Sequence, residues 1–126
     1  MFAGLLALAG CQAALDGAIK TASYYAAAGV AAERELSRVC LEAVDQHVDD
    51  GAGPADVESR VRAVLAQCDH ARALHDVYAA ELDVLIALLE AGKASDAPDL
   101  AAIATAGERV ERALRAFKAA AAVVTG

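Results

Sequence analysis

The chain has no tryptophan, and only two of its 126 residues, Pro54 and Pro98, are prolines. Aromatic residues make up 4% of the sequence, whereas apolar residues make up 58%, many of them alanine. Because proline interrupts helices, two prolines leave long stretches free of helix breakers. This composition predicts an all-helical protein, and the length fits a single domain.

Basic residues are also scarce, with 11 Lys and Arg against 18 Asp and Glu, for a net charge of -7. A surface that binds a nucleic acid duplex needs clustered Lys and Arg to replace the counterions of the phosphates. No basic block occurs in this sequence. We therefore expect no nucleic-acid partner, and no docking on anionic lipid through charge.

Motifs of catalytic centres are missing as well. The sequence contains no nucleophile elbow, no phosphate loop and no HExxH or bundle ExxH pattern. The residue types of a zinc site are present, namely Cys40, His47, Cys68, His70 and His75. Helical spacing, however, moves His47 and His75 in diverging directions, each about 10 Å along the axis from the cysteines. We expect no metal, no cofactor and no enzymatic activity.

Apolar residues instead recur at alternating steps of three and four in three segments, the pattern of helices packed side by side. These segments are Leu15–His47, Val57–Leu89 and Leu100–Val124. Short connections make consecutive helices antiparallel neighbours. The pattern predicts an all-α, antiparallel three-helix bundle over residues 12–126. Its first two helices, about 36 residues each, form a long hairpin, and the shorter third helix leaves the tip of that hairpin projecting.

Local signals predict where the helices begin. Asp56 is expected to cap the second helix, and either Ser95 or Asp96 to cap the third. Residues 82–89 are apolar on nearly every side. We expect them to lie in the thickest part of the bundle or in a contact between copies.

Facing residues of an antiparallel hairpin lie equally far from its turn, which is centred near residue 54. Cys40 and Cys68 lie 14 residues either side of that point, and both fall on the inner apolar stripes. Cysteines placed in this way can form a disulfide, which would add roughly 3 kcal/mol to the free energy of unfolding by restricting the unfolded chain. The alternative is a pair of reduced cysteines that serve as small apolar residues in a cytosolic core.

Glu33 and His75 face each other by the same rule and interrupt their stripes with polar side chains. The favoured interpretation is a partly buried, hydrogen-bonded pair that fixes the register of the two helices. The alternative is a pH-sensing contact, because a protonated histidine pairs better with a carboxylate.

Residues 1–11 form an uncharged apolar run that ends at a cysteine. The run is too short to span a bilayer, but it has the length of the apolar region of a signal peptide. Its last four residues, Leu8-Ala9-Gly10-Cys11, resemble the lipobox of bacterial lipoproteins. The sequence departs from that pattern in having no Lys or Arg before the apolar run.

The resemblance implies cleavage before Cys11 and attachment of lipid to that cysteine, with a periplasmic or cell-surface location. Gln12 after the cysteine is compatible with the outer membrane of a diderm bacterium. One lipidated cysteine and one disulfide account for all three cysteines in an oxidising compartment. The chain then divides into a leader, 1–11, and a bundle, 12–126. Alternatively, residues 1–11 are simply the first turns of the first helix.

The tip of the hairpin carries six acidic residues and no Lys or Arg between Val39 and Ser59. These are Glu42, Asp45, Asp49, Asp50, Asp56 and Glu58. The favoured interpretation is a solvated end. The alternative is a contact for a basic protein patch or for divalent cations.

These observations predict a small, envelope-anchored helical lipoprotein without catalytic activity. It would act as a binding or spacer module, attached to the membrane through its lipid, with a protein partner or a second copy of itself. The alternative is a soluble structural or assembly subunit, phage-encoded for example, in the cytoplasm or a virion. Such a subunit would bury its uncleaved apolar N-terminus in an oligomer.

Overall fold

The computed structural model describes residues 2–49 and 53–125. The described residues form three helices, α1 (Phe2–Asp49), α2 (Pro54–Lys93) and α3 (Leu100–Thr125), and no strand. The predicted all-α three-helix bundle is confirmed, with two long helices and a shorter third. Both long helices exceed the predicted 36 residues, because α1 has 48 residues and α2 has 40. The excess in α1 comes mainly from residues 2–14, over which the helix continues without a break.

The predicted cap of α2 is wrong. Gly53 is the N-cap, and its carbonyl accepts hydrogen bonds from the backbone N–H groups of Asp56 and Val57, each at 3.0 Å. Pro54 takes the first helical position, where its missing N–H costs nothing and its fixed φ suits the helix. Asp56 therefore lies in the first turn rather than before it.

The predicted caps of α3 are wrong in the opposite direction, because the helix begins later than predicted. Asp99 is the cap, because its Oδ1 accepts a hydrogen bond from the N–H of Ala102 at 3.0 Å. Ser95 closes the preceding turn instead, where its Oγ accepts from the N–H of Ala97 at 3.1 Å. In both cases the residue that caps the helix lies three or four positions away from the one that the sequence favoured.

The hairpin is antiparallel, and α3 packs along one part of it. Leu15 of α1 lies next to Gly92, in the last turn of α2, so the earlier turns of α1 extend past the end of α2. At its other end, α3 reaches Val39 on α1 and Gln67 on α2. Beyond that level the described residues of the hairpin, up to Asp49 and from Gly53, have no third helix beside them, so this end of the hairpin projects as predicted.

The centre of the bundle is built around Tyr78, which is 2% exposed. Its hydroxyl donates a hydrogen bond to the backbone carbonyl of Tyr25 on α1, which satisfies the one polar group on the ring. Gly29 makes room for this ring, because a Cβ there would overlap with Cε1 of Tyr78 and lie 3.1 Å from its Cζ. Burial raises the pKa of the Tyr78 hydroxyl above its usual value.

Residues 82–89 take part in the core on one side only. Leu82, Leu85 and Leu89 are buried, whereas Val84 and Ile86 are 50% and 37% exposed. The segment therefore lies where all three helices pack, and it also carries apolar side chains that face away from the core.

Candidate functional site

Cys40 and Cys68 are joined as a disulfide in the structure, as the sequence predicts. Their Cα atoms are 6.2 Å apart, within the usual range for a disulfide. Cys68 is fully buried and Cys40 is 5% exposed. The bridge lies near the level at which α3 ends, so it links α1 and α2 covalently at the base of the projecting tip.

Glu33 and His75 face each other across the hairpin, but they are not the buried, hydrogen-bonded pair that the sequence predicted. The side chain of Glu33 is 62% exposed and that of His75 is 18% exposed. Oε2 of Glu33 lies 3.9 Å from Nε2 of His75, which is beyond hydrogen-bonding distance. His75 instead packs edge-on against the ring of Phe117, with the ring centres 5.2 Å apart.

The exposure of Glu33 follows from how α1 packs. This helix contacts both α2 and α3, so its buried face is centred on Gly29 and Leu36 and includes Ala32. Position 33 falls at the edge of that face, where a long side chain can extend its carboxylate into water. The contact with His75 is therefore an exposed ion pair at most, and such pairs contribute little to stability.

Replacing Glu33 with Gln is expected to change the free energy of unfolding by less than about 0.5 kcal/mol, because the carboxylate is mostly solvated. Urea unfolding followed by circular dichroism measures this. Glu108→Gln, on the exposed surface of α3, is the matched control. If the Glu33 variant alone lost more than about 1.5 kcal/mol of unfolding free energy, the pair of Glu33 and His75 would fix the register of the two helices after all.

The acidic tip is less uniformly charged than its sequence implies. Glu42 accepts a hydrogen bond from Arg38 at 2.6 Å, and Glu58 pairs with Arg62. These arginines lie just outside the segment without basic residues. Asp45 and Asp56 are exposed.

The remaining two acids of the tip, Asp50 and the side chain of Asp49, lie outside the described residues. Within residues 2–49 and 53–125, no three His, Cys, Asp or Glu side chains converge in a way that could hold a metal ion. Cys40 and Cys68 are bonded to each other, and the tip gives no preformed cation site in the part that is described.

The lipobox-like residues lie on α1, ahead of the bundle. Gly10 is exposed, and the side chain of Cys11 lies outside the described residues. The first buried side chain along the described part of α1 is Leu15. Among the side chains that the structure describes, burial therefore begins four residues after the cysteine that resembles a lipid attachment site.

Comparison with known proteins leaves the chain without an assigned family. It matches no protein-family model, and no curated protein or solved structure is significantly similar to it. Over the described residues, no helix combines the length and the apolar character that crossing a bilayer requires.

Proposed function

We propose that this protein is a small lipoprotein of the bacterial envelope that acts as a helical binding or spacer module and has no catalytic activity. The observation that supports this most is the place of Cys11. It ends an apolar run that resembles a lipobox, and it comes just before Leu15, where the described core begins. Cleavage before Cys11 would leave every described core residue in the mature chain.

The paired cysteines support an exported protein. Disulfides persist in oxidising compartments and are rare in the cytosol. The bond between Cys40 and Cys68 is buried, so it has the character of a structural bridge rather than an exposed redox centre. With Cys11 lipidated, the mature chain would contain no free thiol.

The length of α1 supports the spacer role. The 39 residues from Cys11 to Asp49 span 38 helical steps, which rise by roughly 57 Å at 1.5 Å per residue. A lipid at one end of α1 would therefore place the tip of the hairpin far from the headgroups. The tip keeps its acidic residues away from an anionic membrane and leaves them open to a partner.

Metabolic labelling with a clickable palmitate analogue in a bacterial host tests the anchor. The wild-type chain is expected to incorporate the label, and Cys11→Ser to lose it, because that thiol would carry the diacylglyceryl group. The control is the double variant Cys40→Ala/Cys68→Ala, which removes the other two thiols and should keep the label. Equal labelling of wild type and Cys11→Ser, or no labelling of either, would contradict the proposal.

The rival proposal is a soluble assembly subunit that buries its apolar N-terminus in an oligomer. The unbroken helix from Phe2 to Asp49 favours it, because the N-terminal turns extend past α2 and are positioned to pack against another chain. Deletion of residues 1–10 separates the two. The rival predicts that a native oligomer dissociates when these residues are deleted, as measured by analytical ultracentrifugation. The lipoprotein proposal predicts that residues 12–126 have the same oligomeric state with and without the deletion.

A further inference from the structure

The projecting part of the hairpin has no core of its own. It comprises residues 41–49 of α1 and 53–63 of α2, which we call the two-helix end. None of the side chains described in these two stretches is buried, and the nearest buried ones are Cys40 and Val64. Tertiary packing supplies most of the stability of a helix in a protein, and helices shorter than about 12–15 residues are marginal in water on their own. The two-helix end therefore lacks the packing that stabilises the rest of the bundle.

The seam between the two helices is partly open to water at this end. Ala43 and His47 of α1, with Val57 and Val61 of α2, continue the inner stripes here, and each is only partly buried. Nδ1 of His47 is shielded from water, yet it has no hydrogen-bond partner in the part of the chain that the structure describes. A shielded polar atom without a partner is destabilising, and opening of the seam would return this atom to water.

Several of the polar contacts at this end act along one helix and not between the two. Glu42 pairs with Arg38, and Glu58 with Arg62, in each case one turn away on the same helix. These pairs are exposed, so they contribute little to stability. The start of α2 is also weakly held, because its cap, Gly53, makes no side-chain hydrogen bond to the first turn.

The boundary of this weak region lies at the disulfide. The third helix reaches Val39 on α1 and Gln67 on α2, so Cys40 and Cys68 are held by the packing of three helices as well as by their own bond. If the two-helix end opens, both cysteines stay in place whether or not they are bonded. The bond therefore opposes unfolding of the whole bundle and leaves the opening of its end nearly unchanged.

From these observations we infer that the two-helix end is a separate opening unit, whose helices come apart while the three-helix body stays folded. Opening exposes the apolar seam at the end of the hairpin farthest from Cys11. Proteins commonly open in cooperative units of this kind, and the segments that bind ligands are drawn from the least stable part of a fold. The opening occurs with or without a lipid at Cys11, so it is independent of the proposed anchor.

Native-state hydrogen exchange tests this on the oxidised full-length chain carrying Cys11→Ser, with peptides followed by mass spectrometry at urea concentrations below the unfolding transition. After correction for intrinsic rates, amides of the two-helix end should exchange about 100-fold or more faster than amides around Tyr78, but more slowly than an unstructured peptide. Their exchange should depend weakly on urea, because local opening exposes little surface, whereas exchange around Tyr78 should depend on it steeply.

Ala43→Gly and Ala32→Gly form a matched pair on α1, because both alanines are partly buried and both substitutions weaken the helix in the same way. Ala43→Gly lies in the two-helix end and should speed exchange there about fivefold. Ala32→Gly lies in the body and should speed exchange around Tyr78 about fivefold, while exchange of the two-helix end stays the same. Reduction of the disulfide should also speed exchange around Tyr78 and change that of the two-helix end by less than about twofold.

An equal acceleration of both regions by Ala32→Gly, or by reduction, would overturn the inference, because the two-helix end would then open only when the whole bundle unfolds. Equal exchange rates with equal urea dependence in the two regions would overturn it for the same reason. Exchange of the two-helix end at the rate of an unstructured peptide would overturn it too, because there would be no folded unit to open.

Discussion

Reduction of the bond between Cys40 and Cys68 is expected to lower the free energy of unfolding of this protein by about 3 kcal/mol. The bond closes a loop with a sequence separation of 28 residues, and opening it restores conformational freedom to the unfolded chain. Urea unfolding of the same chain with and without a reductant measures the difference. The native helices should remain, because both sulfurs lie in a packed core that persists without the bond.

The double variant Cys40→Ala/Cys68→Ala distinguishes the effect of losing the disulfide from any other effect of the reductant on stability. It should lose a similar amount of stability and should show no further loss when reductant is added. Cys11→Ser should respond to the reductant as the wild type does, since its thiol is not part of the bridge. If reduction left the midpoint of unfolding unchanged in all three chains, the cysteines would not be paired in the folded protein.

Gly29→Ala is expected to lower the free energy of unfolding by up to about 2 kcal/mol, although alanine is the better helix former. The gain in helix propensity is about 1 kcal/mol. Against it stands the overlap of the new methyl group with the ring of Tyr78, and overpacking of a core typically costs about 1–3 kcal/mol. The ring has little freedom to move, because it is buried and its hydroxyl is held by the carbonyl of Tyr25.

Gly17→Ala is the matched control on the same helix. No atom lies within 4 Å of the position that its Cβ would occupy, so only the helix propensity changes. This variant should be more stable than the wild type by about 0.5–1 kcal/mol in the same urea experiment. Equal stabilisation by the two substitutions would show that α1 and α2 do not approach each other closely at Tyr78.

The register of the hairpin could be predicted from the sequence because it depends on one geometric rule. Two antiparallel helices with a short turn bring equidistant residues together, so Cys40 and Cys68 could be paired without coordinates. The same rule placed Glu33 opposite His75, and the structure does bring them to 3.9 Å. The rule could not predict how exposed Glu33 is, because the exposure of Glu33 depends on where α3 packs. The rule describes only how α1 and α2 face each other.

The helix starts were predicted less well, because several residues near each turn can act as caps. Asp56 and Asp96 have the right chemistry, yet Gly53 and Asp99 are the caps. In α2, Pro54 decides the outcome, since its fixed φ and missing N–H favour the first helical position. From the sequence alone, that proline indicates a break in the helical pattern and does not decide which nearby residue is the cap.

Two features of the packing had weaker signals in the sequence. Gly29 interrupts an apolar stripe of α1 almost opposite Tyr78, and a small residue facing a large one indicates a close approach of two helices. The structure also has an open groove between α1 and α3, which could not be predicted because alanines line its walls and alanine is common throughout the chain. Whether alanines close a seam or leave it open depends on the distance between the helices, which only the folded structure gives.

The most direct test of the whole account is the intact mass of the native protein, measured without reductant and with free thiols alkylated. We predict a chain that begins at Cys11, carries the mass of a diacylglyceryl group on that residue and takes up no alkyl group. After reduction, it should take up two, at Cys40 and Cys68. An unmodified chain that retains residues 1–10 and is alkylated at all three cysteines without reduction would contradict both the anchor and the bridge.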